Sequence, residues 1–140
     1  MDKQNIFWKI QRGELPIPPA GKTLGMVIKE VDPEQGAIHI DFEAKPEFVN
    51  PVGMIQGGFL AAMLDDTLGP ALVATLDAGE FAPTLELKVQ FIAPAKVGTI
   101  SGIGKVVSRG GKIAFLEGEL RQDGKLVAKA TATALIRVQR

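Results

Sequence analysis

Most of this chain alternates apolar and polar residues with a period of two, and one long stretch abandons that rhythm. Over residues 59–76 the apolar positions Phe59, Leu60, Ala61, Ala62, Met63, Leu64, Leu68, Ala71, Leu72, Val73 and Leu76 would cover a helix on nearly every side. Such a helix belongs in a protein interior. A turn rich in Pro and Gly precedes it, Asn50-Pro51-Val52-Gly53-Met54-Ile55-Gln56-Gly57-Gly58. In its middle stand two carboxylates, Asp65 and Asp66, which are costly to bury unless paired or used. Pro70 cannot donate to the carbonyl of Asp66, so the helix is expected either to kink there or to stop and restart.

The flanking segments predict strands. Leu24, Met26 and Ile28 alternate with Gly25, Val27 and Lys29; after a turn at Asp32-Pro33-Glu34-Gln35-Gly36, Ile38, Ile40 and Phe42 alternate with His39, Asp41 and Glu43. That pattern gives the second strand one polar face, with His39 on it at the surface. Beyond the helix, Leu85, Leu87, Val89 and Phe91 alternate with Thr84, Glu86, Lys88 and Gln90, and Pro94 ends the strand. Strands over 99–108, 113–121 and 126–138 are joined by the turns Arg109-Gly110-Gly111-Lys112 and Asp123-Gly124. Gly-Gly there is able to take positive φ. Ala128, Ala130, Ala132 and Ala134, with Gly102 and Gly104, would let a helix lie close on the sheet. At the N-terminus, residues 1–11 read as a short helix stopped by Pro16, Pro18 and Pro19, with Trp8 clamping this segment to the body. The order is helix, two strands, long buried helix, then four strands in hairpins. That is an α+β arrangement, a curved antiparallel sheet wrapped on one central helix, in a single domain over residues 1–140 whose first twenty form the helix and a Pro-rich lead-in.

Composition narrows the chemistry. The 16 basic and 16 acidic residues cancel, which argues against a nucleic-acid binder relying on bulk charge. There is no Cys and one His, so thiolate chemistry and a metal site are not expected. No stretch has the length of a membrane span or the layout of a signal peptide, and the expectation is a soluble cytoplasmic protein with no membrane partner. The only serines are Ser101 and Ser108, neither in a nucleophile turn, so a Ser-His-Asp triad is not expected. Gly102-Ile103-Gly104 lacks a third Gly at Val107 and a following helix, so it is not a dinucleotide fingerprint.

What remains is the Gln56-Gly57-Gly58 turn and Asp65. The first N–H groups of a helix have no intrahelical partner, and the helix dipole is positive there. Gly57 N–H could hold a carbonyl oxygen as it becomes an oxyanion, and Asp65 could act as general base or nucleophile. Two plainer readings stand beside these: Gly57-Gly58 as a helix start that needs close packing, and Asp65 as a polar residue at a helix edge. Asp66, about 100° further round, reads as paired or exposed. Gly57 and Asp65 are separated by about 12 Å along one helix axis. A single carbonyl carbon needs both groups within about 3 Å, so one helix cannot supply both. Two antiparallel copies could, giving sites shared across a two-fold dimer.

Asn50, Gly53, Gln56-Gly57-Gly58 and Asp65, in this order of elements, resemble the hotdog-fold acyl-CoA thioesterases of the phenylacetic-acid-pathway (PaaI-like) branch. The resemblance covers roughly residues 36–138. It implies that Gly57 polarises the thioester carbonyl, that Asp65 activates water or attacks directly, that Asn50 places the water or leaving group, and that Thr84 assists the carboxylate. It also implies contacts from Arg109, Lys112 and Gly58 to the CoA moiety of the substrate, dimers pairing into homotetramers, and no metal or organic cofactor. Gln56 departs from the family's usual His before Gly-Gly; Gln can donate a hydrogen bond but cannot become charged. The sequence therefore predicts hydrolysis of a medium-chain or aromatic acyl-CoA. The alternatives are a non-catalytic acyl-CoA-binding module, which Gln56 motivates, and an enoyl-CoA hydratase or dehydratase, which His39 fits poorly.

Overall fold

A computed structural model describes residues 3–138. Met1 and Asp2, where the first helix was expected to begin, lie outside the described residues; that helix, α1, is Ile6–Gln11. A second short helix, α2 (Pro19–Thr23), was not expected. Pro19 starts it rather than stopping anything, because the missing proline N–H costs nothing in the first turn of a helix. Strands β1 (Val27–Asp32) and β2 (Ala37–Ala44) follow, then a 3-10 turn at Pro46–Phe48 and the long helix α3 (Gly57–Val73). After it come β3 (Glu80–Phe81), β4 (Thr84–Phe91), β5 (Gly98–Arg109), β6 (Ile113–Gln122), β7 (Lys125–Leu135) and β8 (Arg137–Val138).

The main sheet is antiparallel throughout, in the order β1-β2-β5-β6-β7-β4; β3 and β8 pair separately. The expected run of four hairpin-linked strands is corrected at one point: β4 pairs with β7, not with its neighbour β5. Residues 92–97 make the crossing. Six residues reach about 20 Å, and three strand spacings need about 14 Å. Pro94 rules out a tight strand return, and the N–H groups of Ile92 and Ala93 bond Val127 O at 2.9 and 3.2 Å. The strand expected over 126–138 breaks at Ile136, separating β7 from β8. The turn at Asp123-Gly124 is as expected, with φ of 51° and 79°. The hairpin at Arg109-Gly110-Gly111-Lys112 is also as expected, but Gly110 and Gly111 do not use the left-handed region open to them: the Gly110 N–H to Ile113 O bond of 2.8 Å closes it without that.

The sheet wraps α3. Leu60, Met63, Leu64, Leu68 and Leu72 of the helix are buried against Ile38, Ile40 and Phe42 of β2, Ile100 of β5, Leu116 and Leu120 of β6 and the alanines of β7. Each large apolar side chain buried this way contributes about 1.5–3 kcal/mol. The close approach depends on missing side chains. A Cβ on Gly102 would sit 2.5 Å from Thr67 Oγ1; one on Gly118 would sit 2.7 Å from Leu68 Cδ2 and 2.9 Å from the carbonyl oxygen of Ile103. Thr67 is fully buried, and its hydroxyl donates to Met63 O at 2.7 Å, so no polar atom is stranded there. The helix runs unbroken through Pro70, so it does not stop and restart.

The far end of α3 is closed by the N-terminal segment. Asn5, 1% exposed, donates through Nδ2 to Val73 O (2.9 Å) and Leu76 O (2.7 Å), while its Oδ1 accepts from Trp8 N–H at the start of α1. Trp8 Nε1 donates to Ala74 O at 3.1 Å, so the expected clamp is a hydrogen bond to the end of the central helix. Carbonyls that a helix leaves without partners are thereby satisfied. Asn5→Ala should lower the unfolding free energy by about 1–3 kcal/mol, since among the described residues it leaves the Leu76 carbonyl unpaired and Val73 O with only the Leu76 N–H at 3.1 Å. Urea denaturation checks this; a loss below about 0.5 kcal/mol, the range of ordinary surface changes, would show the clasp to be dispensable.

Candidate functional site

The near end of α3 is treated differently. Gln56 occupies the cap position with extended backbone (φ −63°, ψ 138°), but its exposed side chain makes no capping bond. Its N–H donates to Phe48 O at 2.8 Å and its carbonyl accepts from Phe59 N–H at 3.0 Å. Among the described residues, nothing accepts from the N–H of Gly57 or Gly58. Two backbone donors therefore stay open at the positive end of the helix dipole.

Asn50 is brought to the same place. Its Oδ1 accepts from the N–H of Val52 (3.0 Å) and Met54 (3.1 Å), while its backbone N–H meets Met54 O at 2.7 Å. These bonds fix which end of the carboxamide is oxygen and leave Nδ2 as its spare donor. Asn50 and Gly57 line one cavity of about 450 Å³, together with Met54, Leu60, Phe91 and Ala95. A slightly larger hollow of about 480 Å³ lies across β4, β7, β6 and β5 and includes Lys88, Lys105, Glu117 and Lys129, but none of the expected site residues. The smaller cavity is the one with open backbone donors.

Asp65 is exposed and sits eight residues along the helix from Gly57, outside that cavity. Its Oδ1 accepts from Thr84 Oγ1 at 2.9 Å, across a sequence separation of 19. Thr84 opens β4, where a bulge between Thr84 and Glu86 shifts the register. The bulge accounts for the exposure of Leu85; beyond it the register is regular, so Leu87, Val89 and Phe91 share one face, Leu87 and Val89 against the core and Phe91 exposed at the strand's end. Gly57–Asn50 and Asp65–Thr84 thus form two separate pairs within one chain.

Asp66 corrects the expectation of a paired or exposed side chain. It is half-buried, and its Oδ2 is enclosed with no hydrogen-bond partner, close to Gly21 of α2. Burial, and then the charge of Asp65 beside it, push the Asp66 pKa up from its ordinary 3.8. Of the residues expected to meet CoA, Arg109 is held at the opposite end of α3, donating to Thr75 O at 3.1 Å and facing Glu80 Oε1 at 3.7 Å. Lys112 is exposed in the adjoining hairpin. Gly58 is exposed, with nothing within 4 Å of where its Cβ would be. His39 lies half-exposed on the outer face of the sheet; it and Ser101 both bond Asp41 Oδ1, at 3.1 and 2.7 Å, so His39 neither bridges a triad nor reaches Asp65's face. Sequence periodicity put Phe91 on the face of Leu87 and Val89, but that its ring meets Gly57 depends on where α3 begins, which has no signature in β4 itself.

This geometry agrees with the comparisons. The thioesterase superfamily profile matches residues 52–129, more than half of the chain, and the chain belongs to that family, the thioester-hydrolysing enzymes built on the hotdog fold. A crystal structure from Ralstonia eutropha JMP134, described as a thioesterase and phenylacetic acid degradation-related protein, superposes with a TM-score of 0.92 at 46% identity, covering 94% of this chain and 99% of that one. A protein of Saccharolobus solfataricus named as an esterase is 34% identical over 104 residues, 74% of each chain. Human acyl-coenzyme A thioesterase 13 is 27% identical over 101 residues, 70% of this chain and 71% of that one.

The raised Asp66 pKa has a stability consequence. The folded state keeps that proton where the unfolded chain has lost it, so Asp66 costs stability as pH rises above about 3.8, its unfolded value. Asp66→Asn carries no charge and lacks this slope. Its stability relative to wild type should improve from acid to neutral pH; a difference independent of pH in urea melts would contradict the assignment.

Proposed function

We propose that this protein is an acyl-CoA thioesterase that hydrolyses a medium-chain or aromatic acyl-CoA to the free acid and CoA, at sites shared between two subunits. The observation that carries the proposal is the open N–H of Gly57, facing the cavity it shares with Asn50, at a helix start with no side-chain cap. In this reading the thioester carbonyl oxygen accepts from Gly57 N–H as it gains negative charge, a donor worth about 10²–10³ in rate. Asn50 Nδ2 orients the water or the sulfur. Asp65, steadied by the Thr84 hydroxyl, takes a proton from water as it attacks, or attacks the carbonyl itself to give an anhydride that water then opens. The thiolate leaves as CoA. Label from ¹⁸O-water appearing in Asp65 in a single turnover identifies the second route, with water opening the anhydride at the Asp65 carbonyl.

The separation of the two pairs favours a shared site. Gly58, Ala62, Asp65 and Gly69 fall at helical spacing on one face of α3; Gly58, Ala62 and Asp65 are exposed, and open space surrounds the missing side chains of Gly58 and Gly69. A glycine inside a helix costs about 1 kcal/mol relative to alanine. Two of them with nothing nearby in the chain suit the close passage of a second α3, running antiparallel, which would carry Gly57 toward the other subunit's Asp65. The edge of β4 next to it is unpaired. We extend the proposal to dimers that pair into a homotetramer, to contacts from Lys112 and Arg109 to CoA phosphates, and to work in the cytoplasm with its substrate.

Thiol release over an acyl-CoA panel tests the reading. Asp65→Asn should lower kcat at least about 10²-fold with the fold retained. Binding of acyl-CoA without thiol release by the wild type would instead favour a binding module. Gly57→Pro, which removes the donor, should also be nearly inactive. Mixing it with Asp65→Asn protein under conditions that exchange subunits should restore about one quarter of wild-type activity, because half the dimers would each hold one intact site. No recovery, with heterodimers demonstrated, would rule out sharing.

A further inference from the structure

Phe91 is the last residue of β4 and is 57% exposed, yet its ring has a definite seat. A Cβ built on Gly57 would lie 3.0, 3.1 and 3.4 Å from three of its ring atoms. The ring therefore rests on the bare α-carbon of Gly57, and the absence of a side chain at 57 is what admits it. Gly58, one residue on, has no such neighbour. The close-packing reading of the Gly-Gly pair thus holds for Gly57 alone, and what packs there is a wall of the cavity. An oxygen held by Gly57 N–H at the usual distance of about 2.9 Å comes within a few ångströms of the ring. Among the described residues no charged one lines the cavity, and Ile55, Leu60 and Ala95 are buried in its wall. Val52, 78% exposed, and Ile92, 52% exposed, complete an apolar rim, the kind of exposed patch that marks a ligand groove or an interface.

We propose that Phe91 is the specificity-determining wall of the acyl pocket. Its ring limits the room beside the carbonyl and offers an aromatic surface to the first carbons of the acyl group, so it selects aryl and medium-length acyl chains over long ones. This inference rests on the thioesterase reading of the same cavity and adds which side chain sets the acyl preference.

The test compares wild type, Phe91→Leu and Phe91→Ala on phenylacetyl-CoA and on straight-chain acyl-CoAs of increasing length, read as kcat/KM. Phe91→Ala should lose about 2- to 10-fold on the aryl substrate, the worth of one aromatic contact. It should gain about 10-fold on longer chains as room opens, with the change mainly in KM and Phe91→Leu in between. The same panel is titrated by calorimetry against Asp65→Asn and against Asp65→Asn carrying Phe91→Ala, which reads the ring without turnover. Light scattering and urea midpoints for each variant report assembly and folding. A preference ratio unmoved by Phe91→Ala in both assays overturns the proposal. So does loss of subunit association with the ratio unchanged, which would make the ring an interface residue. If wild type releases no thiol from any substrate, the thioesterase reading fails, and the calorimetric ratio still decides the role of Phe91.

Discussion

The fold depends on how closely one helix can approach a curved sheet. Thr67 and Leu68 press into a strip of β5 and β6 where Gly102, Gly104 and Gly118 carry no side chains, and the alanine row of β7 continues the recess. Deeper seating of the helix lets its outer face stay narrow and free of bulky groups, so that Asp65 is left standing above small neighbours. Interiors packed to this density transmit small misfits over long distances. The placement of Gly57 at one end and Asp65 partway along is thus a by-product of core packing before it is a matter of chemistry.

The two ends of the helix contrast. At the C-terminal end, side chains from two separate parts of the chain close the free carbonyls: Asn5 and Trp8 of the N-terminal segment and, at Thr75 O, Arg109. At the N-terminal end, the cap residue Gln56 contributes only its backbone, although helix starts ordinarily recruit a Ser, Thr, Asp or Asn for this purpose. A chain that spends buried polar groups on one terminus and withholds them from the other leaves its unspent donors where an acyl oxygen can use them.

Much of this was legible in the sequence, for physical reasons that can be named. The buried helix announced itself by being apolar on all sides, and the strands by their alternation. The Asp123-Gly124 turn was readable because its geometry demands positive φ at both positions. Site residues were approached by elimination, and the link from Thr84 to Asp65 came from a family resemblance, because no periodicity connects positions 19 apart. The illegible parts were non-local. Pro19 reads as a stop until its chain-neighbours are seen coiling after it. The pairing of β4 with β7 depends on a connection just long enough to cross the sheet. The enclosure of Asp66 depends on α2 passing over it, and the contact of Phe91 with Gly57 on where the central helix starts beside the end of β4. The open backbone donors of Gly57 and Gly58 were inferable from helix geometry alone; that no side chain closes them was not.

The hydrogen bonds of Asn5 and Trp8 end on carbonyl oxygens of residues 73, 74 and 76, and a carbonyl does not report which side chain its residue bears. The constraint across this contact is therefore lopsided. Among related sequences, positions 5 and 8 must retain donors of the right shape, while their partners at 73–76 are free to drift among apolar types that fill the core. Covariation between the two segments should be weak even though they touch, so statistical coupling would overlook the junction that closes the end of the central helix.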